Sequence, residues 1–240
     1  MVAVATIFCI RSFMINTTLK VNDIRQMFIE AYRNKEFTTD RTGAKTIEII
    51  GATFLADEDN ILRAPNYDYI ERELAWYESC SLYVEDIPGD TPTIWKQVSC
   101  ENGTINSNYG WCIYSNENGS QYEYVLEELK NNPDSRRATM IYNRPSMHTD
   151  FNKNGMNDFM CTFANTFFIR NGYLHSHFVM RSTDAIFGYN NDRGWAKHVQ
   201  EKLLKDLKLV YPNLKLGNLI WTSSNIHVYS RHFQHLEKIM

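Results

Sequence analysis

The chain has 240 residues, 43% of them hydrophobic, a formal net charge of −3 and a pI near 6.2. That length and apolar content suit one large domain with a full core. The mildly acidic balance excludes a general polyanion-binding surface, so nucleic acid is not expected as a main partner, although a local arginine cluster can still hold one phosphate.

Cys9, Cys80, Cys100, Cys112 and Cys161 form an odd set without Cys-x-x-Cys spacing. Neither a disulfide framework nor a zinc site is suggested, and the usage fits a reducing, cytoplasmic compartment with no metal. Residues 2–10 are apolar but too short to cross a bilayer, and they lack the basic start of a secretory signal. Helix signals begin only after Met14, which makes Met14 a candidate start. Residues 1–13 are then an N-terminal extension and residues 14–240 a single domain.

Val21, Ile24, Phe28, Ala31 and Tyr32 recur at helical spacing, predicting an amphipathic helix over residues 21–34. Asp40-Arg41-Thr42-Gly43 has turn chemistry, and the β-branched run 46–55 reads as the strand behind it. A second helix is expected over 69–79, where Ile70, Leu74 and Tyr77 make an apolar stripe bordered by Glu73. Another helix, near 121–130, ends at Asn131-Asn132-Pro133-Asp134. The C-terminal half then alternates strands with one long helix near 193–208.

Within residues 159–168 a strand would put Cys161, Phe163, Asn165 and Phe167 on one face. A free cysteine beside aromatics is by default a small buried hydrophobe, and reactivity needs a nearby cation to favour the thiolate. Arg181, in an expected strand with Val179 on its face, is the candidate cation. A buried guanidinium needs an anionic partner, which is either phosphate, with Ser182 adding a donor, or an internal carboxylate. Arg136 and Arg137 follow a Pro-Asp turn, and Arg41 lies in its Thr-Gly loop; each taken singly is more often a solvated surface charge.

Glu73 has apolar neighbours at Ile70 and Tyr77, so it is either a partly buried carboxylate suited to proton transfer or a boundary residue paired with Arg72. Asp192 precedes Trp195, Val199 and Leu203 at helical spacing. Its default role is a helix N-cap, which competes with a role in reading a base.

Taken in order, these segments resemble the thymidylate synthase superfamily, in particular its phage deoxycytidylate (dCMP) hydroxymethylase branch. The residues that carry the resemblance are Asp40-Arg41-Thr42-Gly43, Arg72-Glu73-Leu74-Ala75-Trp76-Tyr77, Asn106-Ser107-Asn108-Tyr109-Gly110-Trp111, Asn132-Pro133-Asp134-Ser135-Arg136-Arg137, Cys161, Arg181-Ser182-Thr183-Asp184 and His227-Val228-Tyr229-Ser230. The resemblance implies an α/β (α+β) fold with a large mixed β-sheet flanked by helices and packed against its dimer mate.

It also implies that Cys161 attacks C6 of a pyrimidine nucleotide and that Glu73 manages protons and water. Arg41, Arg181 and Ser182 would hold the 5′-phosphate, together with Arg136 and Arg137 donated by the second subunit of a homodimer. His227 and Tyr229 would hold the 3′-hydroxyl. Asp184, Trp95 and Tyr109 would contact the co-substrate, 5,10-methylenetetrahydrofolate. Asp192 stands where thymidylate synthases have asparagine; a carboxyl group accepts from the exocyclic amine of cytosine, so dCMP is the expected substrate. Met160 precedes the cysteine where thymidylate synthases usually carry proline, as in the hydroxymethylase branch. Water addition would make the product hydroxymethylated, whereas hydride transfer would make the chain a methylase that releases dihydrofolate. A folate- and nucleotide-binding subunit without turnover is the reading from another class, with other phage nucleotide-synthesis enzymes as candidate partners.

Overall fold

The computed structural model describes residue 15 and residues 17–240; the expectations for residues 1–13, Cys9 and Met14 lie outside the described residues. In chain order the helices are α1 (Val21–Arg33), α2 (Tyr67–Glu78), α3 (Thr93–Val98), α4 (Tyr109–Tyr114), α5 (Gln121–Asn131), α6 (Met147–Asp150), α7 (Gly188–Leu207) and α8 (Gln234–Glu237). The strands are β1 (Thr38–Thr39), β2 (Lys45–Leu55), β3 (Thr139–Ile141), β4 (Thr162–Arg170), β5 (Tyr173–Met180), β6 (Thr183–Asp184) and β7 (Lys215–Tyr229).

The strands form one mixed sheet in the order β1-β2-β7-β5-β4-β3, with β6 also beside β7. Neighbours are antiparallel except for β5 and β6, which run parallel to β7. A parallel β5–β7 pair needs a crossover connection, and α7 supplies it. Its residues Trp195, Val199 and Leu203 recur at helical spacing and are fully buried. Opposite them, Phe178 stacks on Trp221 with ring centroids 5.0 Å apart. Helix α1 buries Val21, Ile24 and Phe28 in the same way.

Three local expectations are corrected. Helix α7 begins at Gly188, so Asp192 lies inside it and does not cap it; the polar Asn190-Asn191 pair had hidden the first turn. Strand β4 begins at Thr162 and carries a bulge between Thr162 and Ala164. The inserted residue breaks the two-residue alternation, so Phe163 is 39% exposed while Asn165 and Phe167 are fully buried, and Phe163 does not share their face. Arg181 lies just past the end of β5, where its backbone N–H donates to the Cys161 carbonyl at 2.7 Å.

Alternate residues of the sheet form a half-buried polar row. Thr53 and Thr222 share a hydrogen bond of 3.1 Å, His177 Nε2 meets Thr222 Oγ1 at 2.9 Å, and Thr139 meets Thr166 at 3.0 Å. No helix among the described residues is long and apolar enough to cross a membrane.

Candidate active site

Strand ends, α2, α4 and α7 converge around Cys161. The thiol sits immediately before β4, and Arg181 Nη2 lies 3.4 Å from its sulfur. The guanidinium also donates to the Phe159 carbonyl at 3.1 Å and lies over the Phe159 ring, 5.0 Å from its centroid. No carboxylate within ion-pair distance of Arg181 occurs among the described residues, so the internal salt-bridge reading has no support here. Burial pushes the thiol pKa up to about 11; Arg181 opposes the rise, while Asp192 and Asp158 add to it. The expected cation is present, yet desolvation outweighs it and the resting thiol is protonated.

Asp192 faces the same space from α7, where it accepts a hydrogen bond from the Tyr109 hydroxyl at 3.1 Å. Desolvation, then the neighbouring Glu73 and Asp184 carboxylates, raise its pKa to about 8 against the Tyr109 hydrogen bond. Cys161 and Asp192 keep some accessible surface, but the surrounding protein is dense enough for desolvation to dominate both.

Glu73 is buried on α2. Tyr69, one turn earlier, donates to its Oε1 at 2.6 Å, and Trp95 Nε1 donates to Tyr69 Oη at 2.8 Å and to Glu73 at 3.3 Å. Burial raises the Glu73 pKa to about 7, and the two neutral donors limit the rise. Arg72 is not its partner: it donates to the Pro88 and Asp90 carbonyls and pairs with Asp68. A nearly buried carboxyl poised at neutral pH is the pattern of a group that moves protons.

The outer rim follows from strand register. Thr46 pairs with Tyr229, Glu48 with His227, and Asp184 with His227. The Asp40–Arg41 turn, which feeds into β2, therefore lies beside Tyr229, and Asp184 beside His227. Asp40 shapes the turn by accepting from Thr42 N at 2.8 Å and Ala44 N at 2.9 Å, while Gly43 takes a left-handed φ of +83°. Arg41 is exposed, and Ser182 is half-buried next to Arg181. His227 packs edge-on against Tyr229, Nδ1 3.2 Å from Asn225 Oδ1, and burial keeps its pKa below the ordinary histidine value.

Arg136 and Arg137 are apart from this group. They line a cavity of about 490 Å³ formed by residues 128 and 131–137, and Arg137 pairs with Glu128 at 3.0 Å.

Tyr69, Asn225 and Asp158 belong to the site's framework but did not emerge from the sequence. The i, i+4 spacing of Tyr69 and Glu73 was the available signal for the first, and the i, i+2 spacing of Asn225 and His227 on one strand for the second; Asp158 acts across a long sequence separation. The segment 106–111 also proves to be a junction. Asn108 caps α4 by accepting from Trp111 N at 2.7 Å, while its amide holds the Trp76 carbonyl at 3.0 Å and the Ser81 carbonyl at 2.8 Å.

Comparison with known proteins decides the family. The family profile described as "Thymidylate synthase" matches residues 24–240. The chain belongs to the thymidylate synthase family.

Within that family the chain is 52% identical over 222 residues to "Deoxycytidylate 5-hydroxymethyltransferase" of Enterobacteria phage T6, covering 92% of this chain and 90% of the relative. It is 51% identical to the phage T4 protein of the same name, with the same coverage. A thymidylate synthase from Bacillus subtilis subsp. natto is 26% identical, with 84% of this chain and 73% of the relative covered. Among solved structures, a thymidylate synthase from T4 phage aligns with a TM-score of 0.70 at 23% identity, covering 90% of this chain and 79% of that one. The thermostable thymidylate synthase A of Bacillus subtilis gives 0.65 at 24% identity, covering 91% and 83%. These two establish the thymidylate synthase fold for the sheet and its helices.

Proposed function

We propose that this family member is a deoxycytidylate 5-hydroxymethyltransferase, which makes 5-hydroxymethyl-dCMP from dCMP, water and 5,10-methylenetetrahydrofolate. The observation that carries the reading is Asp192 beside Cys161, with its pKa raised to about 8. A neutral carboxylic acid can donate its proton to N3 of cytosine and accept from the 4-amino group, a two-point match. Uracil offers the opposite pattern, an N3–H donor and an O4 acceptor, which an amide side chain matches instead. The 51–52% identity to relatives named for deoxycytidylate hydroxymethylation supports the same choice.

Cys161 loses its proton and adds to C6 of the ring, and the displaced electron pair makes C5 nucleophilic. Arg181, 3.4 Å from the sulfur, stabilises the thiolate and, with Ser182 and Arg41, would hold the 5′-phosphate. The bound folate supplies a one-carbon unit at the methylene level, which becomes attached to C5. The C5 proton then leaves by a relay we assign to Tyr109, hydrogen-bonded to Asp192, and the bond from the one-carbon unit to the folate nitrogen breaks, so that tetrahydrofolate departs. The result is an exocyclic methylene on the nucleotide. Glu73, near neutral in pKa, takes a proton from water as the water oxygen bonds to that methylene carbon. The electron pair returns through C5 and C6, and the Cys161 thiolate departs. His227 and Tyr229 suit the 3′-hydroxyl.

Side chains around Glu73 and His227 suit the folate on their own chemistry. Trp95 offers an indole edge tied to Glu73, Phe187 is 41% exposed, and Asp184 adds a carboxylate beside His227. A planar heterocycle with ring N–H donors suits such aromatic and acidic surroundings.

A homodimer completes this reading. The polar row Thr53–Thr222–His177 with Thr139–Thr166 is the half-buried side of the sheet, suited to a second copy, and Arg136 and Arg137 would reach the partner's phosphate. The compartment proposed is the cytoplasm of a phage-infected bacterium.

The test is mass analysis of dCMP after incubation with the protein and methylenetetrahydrofolate, with dihydrofolate absorbance followed. A hydroxymethyl gain without dihydrofolate is expected and should vanish in Cys161→Ser. A methyl gain with dihydrofolate would make the protein a methylase, and no product would leave a binding subunit.

A further inference from the structure

A buried carboxylate that none of the chemical steps uses joins the two segments bearing Cys161 and Tyr109. Asp158 lies three residues before the thiol and is 7% exposed. Its Oδ2 accepts the backbone N–H groups of Asn106 at 2.7 Å and Ser107 at 2.8 Å, and its Oδ1 accepts the Ser107 hydroxyl at 2.7 Å. Asn106 closes the junction from the other side. Its amide donates to the Asp158 carbonyl at 3.1 Å, and its oxygen accepts from Arg144 Nη2 at 2.9 Å. Arg144 is itself held by Asp150 at 3.0 Å.

Resting on the functional reading above, we propose that Asp158 is a positioning residue that sets the separation between the Cys161 thiol and the Tyr109 hydroxyl by clamping residues 106–107. The chemistry explains the choice of residue. Two adjacent backbone N–H groups and a hydroxyl converge on one carboxyl group, and an ionised carboxylate is acceptor-only, so all three donors are satisfied together. An amide at this position would turn its NH₂ toward one donor group and open the junction. Tyr109 follows Ser107 by two residues and Cys161 follows Asp158 by three, so little chain is available to absorb a shift. Gly110 closes off slippage on the far side, because a Cβ there would lie 1.7 Å from the Tyr77 carbonyl oxygen. A misplacement of about 1 Å between reacting groups is enough to cost on the order of 10²-fold in rate.

The same carboxylate also acts on the thiol through space, since its negative charge raises the Cys161 pKa. Alignment and charge therefore predict opposite movements in one variant, and a merely structural role would not produce both. In Asp158→Asn, kcat should fall by on the order of 10- to 100-fold with KM for dCMP nearly unchanged. The pH midpoint for iodoacetamide alkylation of Cys161 should move downward, making the thiol more reactive as turnover slows. Ser107→Ala, which removes one of the three hydrogen bonds and leaves the charge, should lower kcat less and leave the alkylation midpoint where it is. Ser107→Thr should restore turnover.

Unchanged kcat in Asp158→Asn would overturn the proposal, as would a loss confined to KM or an unmoved alkylation midpoint. Should Asp158→Asn fail to fold, wild-type kcat in Ser107→Ala would overturn it instead. Alkylation needs no substrate. A wild-type protein that does not turn over dCMP would therefore sink the functional reading, while a downward midpoint in Asp158→Asn would still report the contact to Cys161.

Discussion

Tyr109 and Asp192 meet across 83 residues of sequence through a 3.1 Å hydrogen bond. The contact links α4 to α7 at the level of Cys161. Among the described residues Asp192 therefore has a neutral donor as its partner and no cation, which leaves its pKa raised to about 8.

Replacing Asp192 with asparagine should exchange the hydrogen-bond pattern that suits cytosine for the one that suits uracil. The ratio of kcat/KM for dCMP over dUMP is expected to fall by at least about 10²-fold, since a site built to hydrogen-bond one pattern rejects a mismatched one by up to about 10⁴–10⁵. Steady-state kinetics with both nucleotides checks this; an unchanged ratio removes Asp192 as the basis of base choice. For the wild type, dCMP affinity should weaken above about pH 8, where the free carboxyl ionises and its donor is lost.

Glu73 should give activity an acid limb near pH 7, because its ionised form is the one that accepts a proton. Tyr69→Phe removes a hydrogen bond that favours the carboxylate, so the limb should shift to higher pH. Stability runs the other way. Between the ordinary carboxyl value of 4.5 and the folded value of about 7, the unfolded chain releases its proton first. Unfolding free energy should thus fall as pH rises through that window and level off above it. In Glu73→Gln this part of the pH dependence should disappear, read as a flatter Tm against pH, at about 2–4 °C per kcal/mol for a chain of this size.

Gly110→Ala should destabilise the fold by about 3 kcal/mol, since the new methyl would meet the backbone of Tyr77 at 1.7 Å and backbone atoms cannot swing aside. Urea denaturation measures it. A variant as stable as wild type would mean that α2 and α4 can separate without cost, contrary to the Tyr77–Tyr109 stacking at 5.1 Å.

If the arginine pair acts across a dimer, Arg136→Ala and Cys161→Ser should each be nearly inactive alone. Mixed after dissociation and reassociation, they should regain a substantial fraction of activity, because one hybrid site contains neither change. No recovery, in mixtures shown to contain hybrids, would confine Arg136 to its own chain.

Local chemistry determined much of this protein by itself. Apolar periodicity marked α1, α2 and α7, a Pro-containing stop marked the end of α5, β-branched content marked β2, and turn residues marked the Arg41 loop; all of these follow from interactions a few residues long. Motif order was sufficient to indicate the family, because thiol, arginine, carboxylate and histidine types recur in sequence. What the tertiary structure decided is where competing local readings ended. Asp192 read by default as a helix cap, with a base-reading role competing, until α7 proved to start at Gly188. Glu73 read as half-buried until Tyr69 and Trp95 closed over it. The alternation around Cys161 failed at a bulge, which changes register without altering composition. The protonation of Cys161, Glu73 and Asp192 depends on desolvation and on charges brought together by β4, α2 and α7. Those energies arise from long-range packing, and no short window of sequence contains them.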